Sequence, residues 1–129
     1  MELKEAVLSL RKLVSMRLKN FDMQLLTRYA KQLDNLCQKH HVEVMYVFGS
    51  VVTGRSSSDS DIDLLVKFLD INPLEYFDNY MSFKESLEQL FLRSIDLVEE
   101  QTIRNPILKR SIDRNKVMVY ERKNSKMAV

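Results

Sequence analysis

The stretch that decides the fold reads Val42-Glu43-Val44-Met45-Tyr46-Val47-Phe48-Gly49-Ser50, then ten residues, then Asp61-Ile62-Asp63-Leu64-Leu65-Val66. Its first seven residues alternate and are rich in β-branched and aromatic side chains, as a strand is. Gly49-Ser50 follows directly, where a short turn of helix is expected to begin and run to Gly54. The polar loop Arg55-Ser56-Ser57-Ser58-Asp59-Ser60 then leads into a second strand, expected over residues 61–68. Two strands thus flank a glycine-marked, serine-rich crossing.

Upstream, Leu3, Ala6, Val7, Leu10, Leu13 and Val14 recur at helical spacing. After a break near Lys19-Asn20 a second helical series runs Leu25, Tyr29, Leu33, Leu36 and Cys37 and ends near His40-His41. Downstream, Asn72-Pro73-Leu74-Glu75 reads as a helix start, with Asn72 as cap and Pro73 in the first turn. Leu74, Phe77, Tyr80, Met81, Leu87, Leu90 and Phe91 are the expected apolar face of that helix. A short strand over residues 94–99 follows. Asn105-Pro106 opens another helix with Ile107, Leu108 and Ile112 on its apolar face, and Val117-Met118-Val119-Tyr120 is expected to close the sheet as an edge strand. The order implies an α/β (α+β) domain, a small mixed sheet covered by helices.

The 129 residues are 45% hydrophobic and 29% charged, the composition of an ordinary globular protein. They fit one domain and leave no room for a second that would hold a large substrate. No apolar run approaches the roughly 20 residues of a membrane span, and the start lacks a signal-peptide pattern, so the cytoplasm is expected and a membrane is not. Cys37, the single cysteine, lies on the apolar side of its helix and reads as core. His40 and His41 are adjacent, so they point apart and read as helix-end residues rather than a metal pair.

The net charge of +2 conceals a segregation. Residues 1–31 carry seven basic and three acidic side chains, residues 59–100 three basic and eleven acidic, and residues 101–129 eight basic and two acidic. An acidic centre between basic ends suggests a cation site flanked by surfaces that attract phosphates or an acidic partner. The basic ends lack the interleaved aromatics that stack bases, which argues against nucleic acid as a direct ligand.

Side chains alternate along a strand, so Asp61 and Asp63 point to one side while Ile62, Leu64 and Val66 take the buried side. Two carboxylates held together raise each other's pKa unless a cation neutralises them, and oxygen ligands favour magnesium or manganese. An Asp-x-Asp pattern alone is more often the mark of solvated acids on an open sheet face. Gly49-Ser50 shifts the reading, because glycine lets a phosphate approach the backbone and the amides of a helix start bind its oxygens. Asp96 supplies a third carboxylate if its strand lies beside that of Asp61 and Asp63. In a two-metal phosphoryl transfer it would bridge to the second ion and take the nucleophile's proton.

As a set, Phe48-Gly49-Ser50 and Asp61-Ile62-Asp63-Leu64-Leu65-Val66 resemble the signature of the DNA polymerase beta-like nucleotidyltransferases. With Ile95-Asp96-Leu97-Val98 and Arg104-Asn105-Pro106 the chain resembles, over roughly residues 40–121, the MntA-type minimal members. The resemblance implies a nucleotidyltransferase fold, with Asp61, Asp63 and Asp96 as catalytic magnesium ligands and Gly49-Ser50 as the triphosphate-binding turn. It also implies ATP or another nucleoside triphosphate as donor and a HEPN-type helical toxin as partner, whose tyrosine receives AMP while the enzyme acts as antitoxin. On this reading residues 1–20 are an N-terminal helical extension, residues 21–122 the minimal domain and residues 123–129 a flexible tail.

The chain departs from that pattern at Thr53, where similar proteins carry an arginine before the second glycine of the turn. Arg55, two positions on, is the expected replacement in nucleotide binding. The extra helix has an apolar stripe and, elsewhere, Lys4, Arg11, Lys12 and Arg17; it can cap the core, pair two copies into a homo-oligomer or hold a partner. Two other readings stay open: a non-catalytic module that covers a helical partner, and a transferase whose small-molecule acceptor is delivered by a separate subunit.

Overall fold

The computed structural model describes residues 21–49 and 61–123. The N-terminal extension, the Ser50–Ser60 segment and residues 124–129 lie outside the described residues.

In chain order the elements are α1 (Phe21–Arg28), α2 (Ala30–Lys39), β1 (Val42–Phe48), β2 (Ile62–Phe68), α3 (Pro73–Phe91), β3 (Ile95–Glu99), a 3-10 turn at Glu100–Thr102, α4 (Pro106–Asn115) and β4 (Val117–Glu121). The four strands form one mixed sheet in the order β3-β2-β1-β4. β1 is antiparallel to both β2 and β4, while β2 and β3 are parallel and joined through α3. A parallel pair needs such a crossover, since no hairpin can return the chain to the same end. The expected edge strand is present as β4.

One sheet face carries the core. Met45 and Val47 of β1, Ile62, Leu64 and Val66 of β2, Ile95 and Leu97 of β3 and Val117 and Tyr120 of β4 cluster with Leu33 and Cys37 of α2 and Phe83, Leu87 and Phe91 of α3. Each fully buried aliphatic or aromatic side chain contributes about 1.5–3 kcal/mol, so this layer drives the fold. The helix starts are set locally as expected. Asn72 Oδ1 accepts the Leu74 N–H at 2.9 Å, and Asn105 Oδ1 accepts those of Ile107 and Leu108 at 2.8 and 3.3 Å. Each of these caps is followed by a proline at the first helical position.

Three expectations need correction. The series from Leu25 to Cys37 is divided at Tyr29, whose backbone (φ −103°, ψ 25°) leaves the helical region between α1 and α2. In α3, Leu74 and Phe77 are 87% and 68% exposed and Met81 is also exposed, although they share the periodicity of the buried Phe83, Leu87 and Phe91. The reason is where α2 stops: its end packs against Asn79 and Ser82, through Asn79 Nδ2 on His40 O and His40 Nε2 on Ser82 Oγ. Earlier turns of α3 reach the rest of the protein through Tyr76 and Tyr80 instead. In α4 only Ile112 is buried, and Ile107 and Leu108 face outward.

Candidate active site

The strand register brings the acidic residues together. Asp63 on β2 is paired with Phe48 on β1 to one side and with Asp96 on β3 to the other. Because Ile62, Leu64 and Val66 enter the core, Asp63 stands on the opposite sheet face, as does Asp96 beside it between the buried Ile95 and Leu97. Asp63 is half-buried and Asp96 exposed; Asp61, exposed, lies one residue before β2, on the same side as Asp63 by alternation.

Gly49 closes the other side. It follows β1 with φ +76°, a left-handed conformation that glycine adopts without steric cost. A Cβ at this position would sit 3.1 Å from Cγ of Asp63 and closer still to its Oδ2. The Gly49 backbone therefore lies directly against the Asp63 carboxylate, and only a residue without a side chain fits there. Gly49, Asp63 and Asp96 form a row across three adjacent strands at one end of the sheet. Ser50 and Arg55, expected to complete the nucleotide site, lie outside the described residues.

The electrostatics of the row are those of crowded acids. Burial, then the charge and hydrogen bond of Asp96, and then the charge of Asp61 push the Asp63 carboxyl up to about 6. The end of the sheet is braced by Glu88, Ser94, Tyr76 and Tyr80, of which the sequence pattern pointed only to Tyr80, as part of an apolar helix face. The Glu88 side chain accepts the Ile95 N–H at 3.1 Å, and Ser94 O accepts the Ile62 N–H at 2.9 Å, fixing where β3 meets β2. The Tyr80 hydroxyl donates to Leu97 O, and Tyr76 donates to Glu99 at 3.0 Å, tying α3 to β3. The i, i+4 spacing of the two tyrosines marks a shared face, but not that this face meets β3.

His40 and Cys37 are structural, as expected. His40 Nδ1 lies 2.8 Å from Leu36 O and its ring packs on Phe83, while burial pushes the Cys37 thiol well up, away from the reactive thiolate.

The family pattern described as "Polymerase beta, Nucleotidyltransferase" matches residues 31–125, about three quarters of the chain. The chain belongs to this nucleotidyltransferase family. The nucleotidyltransferase is 35% identical over 85 residues to the protein adenylyltransferase MntA of Thermococcus cleftensis, a match covering 66% of this chain and 80% of the relative. A solved structure of a candidate minimal nucleotidyltransferase is 31% identical, with a TM-score of 0.62 over 73% of this chain and 92% of its own. The fold is also that of a chain in the solved complex of tri-AMPylated Shewanella oneidensis HEPN toxin with MNT antitoxin, at 15% identity, a TM-score of 0.52, and 80% and 78% coverage.

The residues present fit the divalent cations that such enzymes use. Asp61, Asp63 and Asp96 offer hard oxygen donors, and the mutual repulsion that raises Asp63 is what a cation relieves. Among the described residues no three acidic, histidine or cysteine side chains are gathered tightly enough to hold an ion alone.

Proposed function

We propose that this nucleotidyltransferase moves AMP from ATP to a tyrosine hydroxyl of a HEPN-type helical toxin, using magnesium or manganese, and so acts as the toxin's antitoxin. The observation that carries the reading is the row Gly49, Asp63, Asp96, with Asp61 alongside, which sets a left-handed glycine turn next to three carboxylates. Two findings support the choice of nucleotide and acceptor: the MntA relative is named a protein adenylyltransferase, and the Shewanella complex holds an AMPylated toxin.

Gly49, with Ser50 and Arg55 from the adjoining segment, binds the triphosphate. Asp61, Asp63 and Asp96 hold the cations, which when bound neutralise phosphate charge and ease ionisation of the attacking hydroxyl. The tyrosine oxygen bonds to the α-phosphorus, the bond from that phosphorus to the bridging oxygen breaks, and pyrophosphate leaves. The phenolic proton passes to the Asp96 carboxylate and on to solvent. Positioning and charge do most of the work, as in other phosphoryl transfers.

Residues 21–122 carry this chemistry as one unit, and the cytoplasm is its proposed compartment. No helix among the described residues is long and apolar enough to cross a membrane. The test is pyrophosphate release from ATP with magnesium or manganese in the presence of a HEPN-type helical toxin. Release by wild type that is lost in Asp61→Asn/Asp63→Asn supports the reading. If both proteins are inactive yet both neutralise the partner, the chain is a non-catalytic binding module.

A further inference from the structure

β3 is an edge strand, and it carries Asp96, the third carboxylate of the row. An edge strand has a ladder on one side only, so its outward backbone groups are left for other partners. Alternation decides which groups those are. Ser94 O accepts the Ile62 N–H, so the backbone of Ser94 and, two residues on, of Asp96 faces β2. That of Ile95 and Leu97 faces away from the sheet.

Both outward residues are met by side chains of α3. The Glu88 carboxylate accepts the Ile95 N–H at 3.1 Å, and the Tyr80 hydroxyl donates to Leu97 O. Ile95 and Leu97 are the residues on either side of Asp96. The Glu88 bond is charge-assisted, a stronger class than a neutral pair. Tyr80 is seated in turn by Tyr76, whose ring stacks on it at 6.4 Å and whose hydroxyl donates to Glu99 at the far end of β3. Asp96 itself is exposed, so burial does little to hold its side chain. What fixes it is the backbone before and after it.

We infer that Glu88 and Tyr80 are positioning residues that hold Asp96 in register with Asp63, and so set the affinity of the carboxylate row for a divalent cation. They stand in for the neighbouring strand that β3 lacks. Metal-ligating carboxylates depend on such outer partners, whose loss costs about 10–100-fold in metal affinity or activity. The cation assignment rests on the transferase reading above; the bonds from α3 do not.

The test uses the full chain with Mn2+ alone as probe, followed by electron paramagnetic resonance, and then pyrophosphate release from ATP with a HEPN-type helical toxin. Glu88→Ala and Tyr80→Phe are each expected to weaken Mn2+ binding about tenfold and to lower kcat to a similar degree. KM for ATP should stay near its wild-type value, because the triphosphate turn at Gly49 lies on the β1 side of the row. Glu88→Gln keeps an oxygen to accept the Ile95 N–H and should recover most of both losses. If Glu88→Ala and Tyr80→Phe only melt lower, with Mn2+ affinity and turnover per folded molecule unchanged, their role is structural and the inference is overturned. A Glu88→Gln variant as impaired as Glu88→Ala, or a rise in KM for ATP in place of the fall in kcat, overturns it as well. A wild type that binds Mn2+ but releases no pyrophosphate sinks the transferase reading instead, and the Mn2+ affinities of the variants still decide the role of Glu88 and Tyr80. A wild type that binds no Mn2+ overturns the cation assignment and this inference with it.

Discussion

Asp63 and Asp96 are register partners on the parallel strands β2 and β3, and burial together with the Asp96 charge beside it raises the Asp63 carboxyl. Neither strand alone makes this pair. It exists because α3 returns the chain to the same end of the sheet and Glu88 fixes where β3 begins. The cost of the pair is borne by Asp63, the more buried member, and the apoprotein's stability should show it.

The Asp63 carboxyl is raised from 3.8 to about 6. The folded protein therefore holds this proton more tightly than the unfolded chain does. Its contribution to stability is fullest below the unfolded value and is lost as pH rises through the folded one. Without divalent cations, Asp63→Asn is expected to melt above wild type at about pH 7.5, with the advantage shrinking toward about pH 4. Melting curves across that range check it, and a difference independent of pH would contradict it.

Gly49→Ala should damage both fold and function. A non-glycine residue in the left-handed region costs roughly 1–2 kcal/mol, and the new methyl group would also overlap the Asp63 carboxylate. A fall in melting temperature of about 5 °C or more is expected, together with loss of metal-dependent pyrophosphate release. A variant with wild-type stability and turnover would show that Gly49 does not abut Asp63 as described.

Arg122 should matter for stability alone. Its Nε donates to Val42 O at 2.8 Å and its Nη2 to Cys37 O and Gln38 O at 3.4 and 3.1 Å, so it satisfies carbonyls at the end of α2 and the start of β1. Cations are favoured at a helix C-terminus. Arg122→Met is expected to cost about 1–3 kcal/mol in urea unfolding, with turnover per folded molecule unchanged. A loss of turnover without a loss of stability would place Arg122 in the site instead.

What the sequence revealed and what it concealed divide along physical lines. The strand of Ile62 to Phe68 and the asparagine caps at Asn72 and Asn105 were legible, because alternation and capping are local. The exposure of Leu74, Phe77, Ile107 and Leu108 was not. Periodicity says which residues share a helix face, not whether another element covers it. Asp96 was legible as a candidate only conditionally, since pairing across strands depends on how α3 returns the chain. Arg122 read as the edge of a tail because its partners lie some eighty residues away, beyond the reach of any local pattern.

Mass spectrometry of a HEPN-type helical toxin after incubation with this enzyme, ATP and magnesium tests the transferase reading most directly. One or more adenylyl groups are expected on a tyrosine of that protein, absent when Asp61→Asn/Asp63→Asn replaces the wild type. A stable complex in which wild-type enzyme leaves the partner's mass unchanged would contradict it.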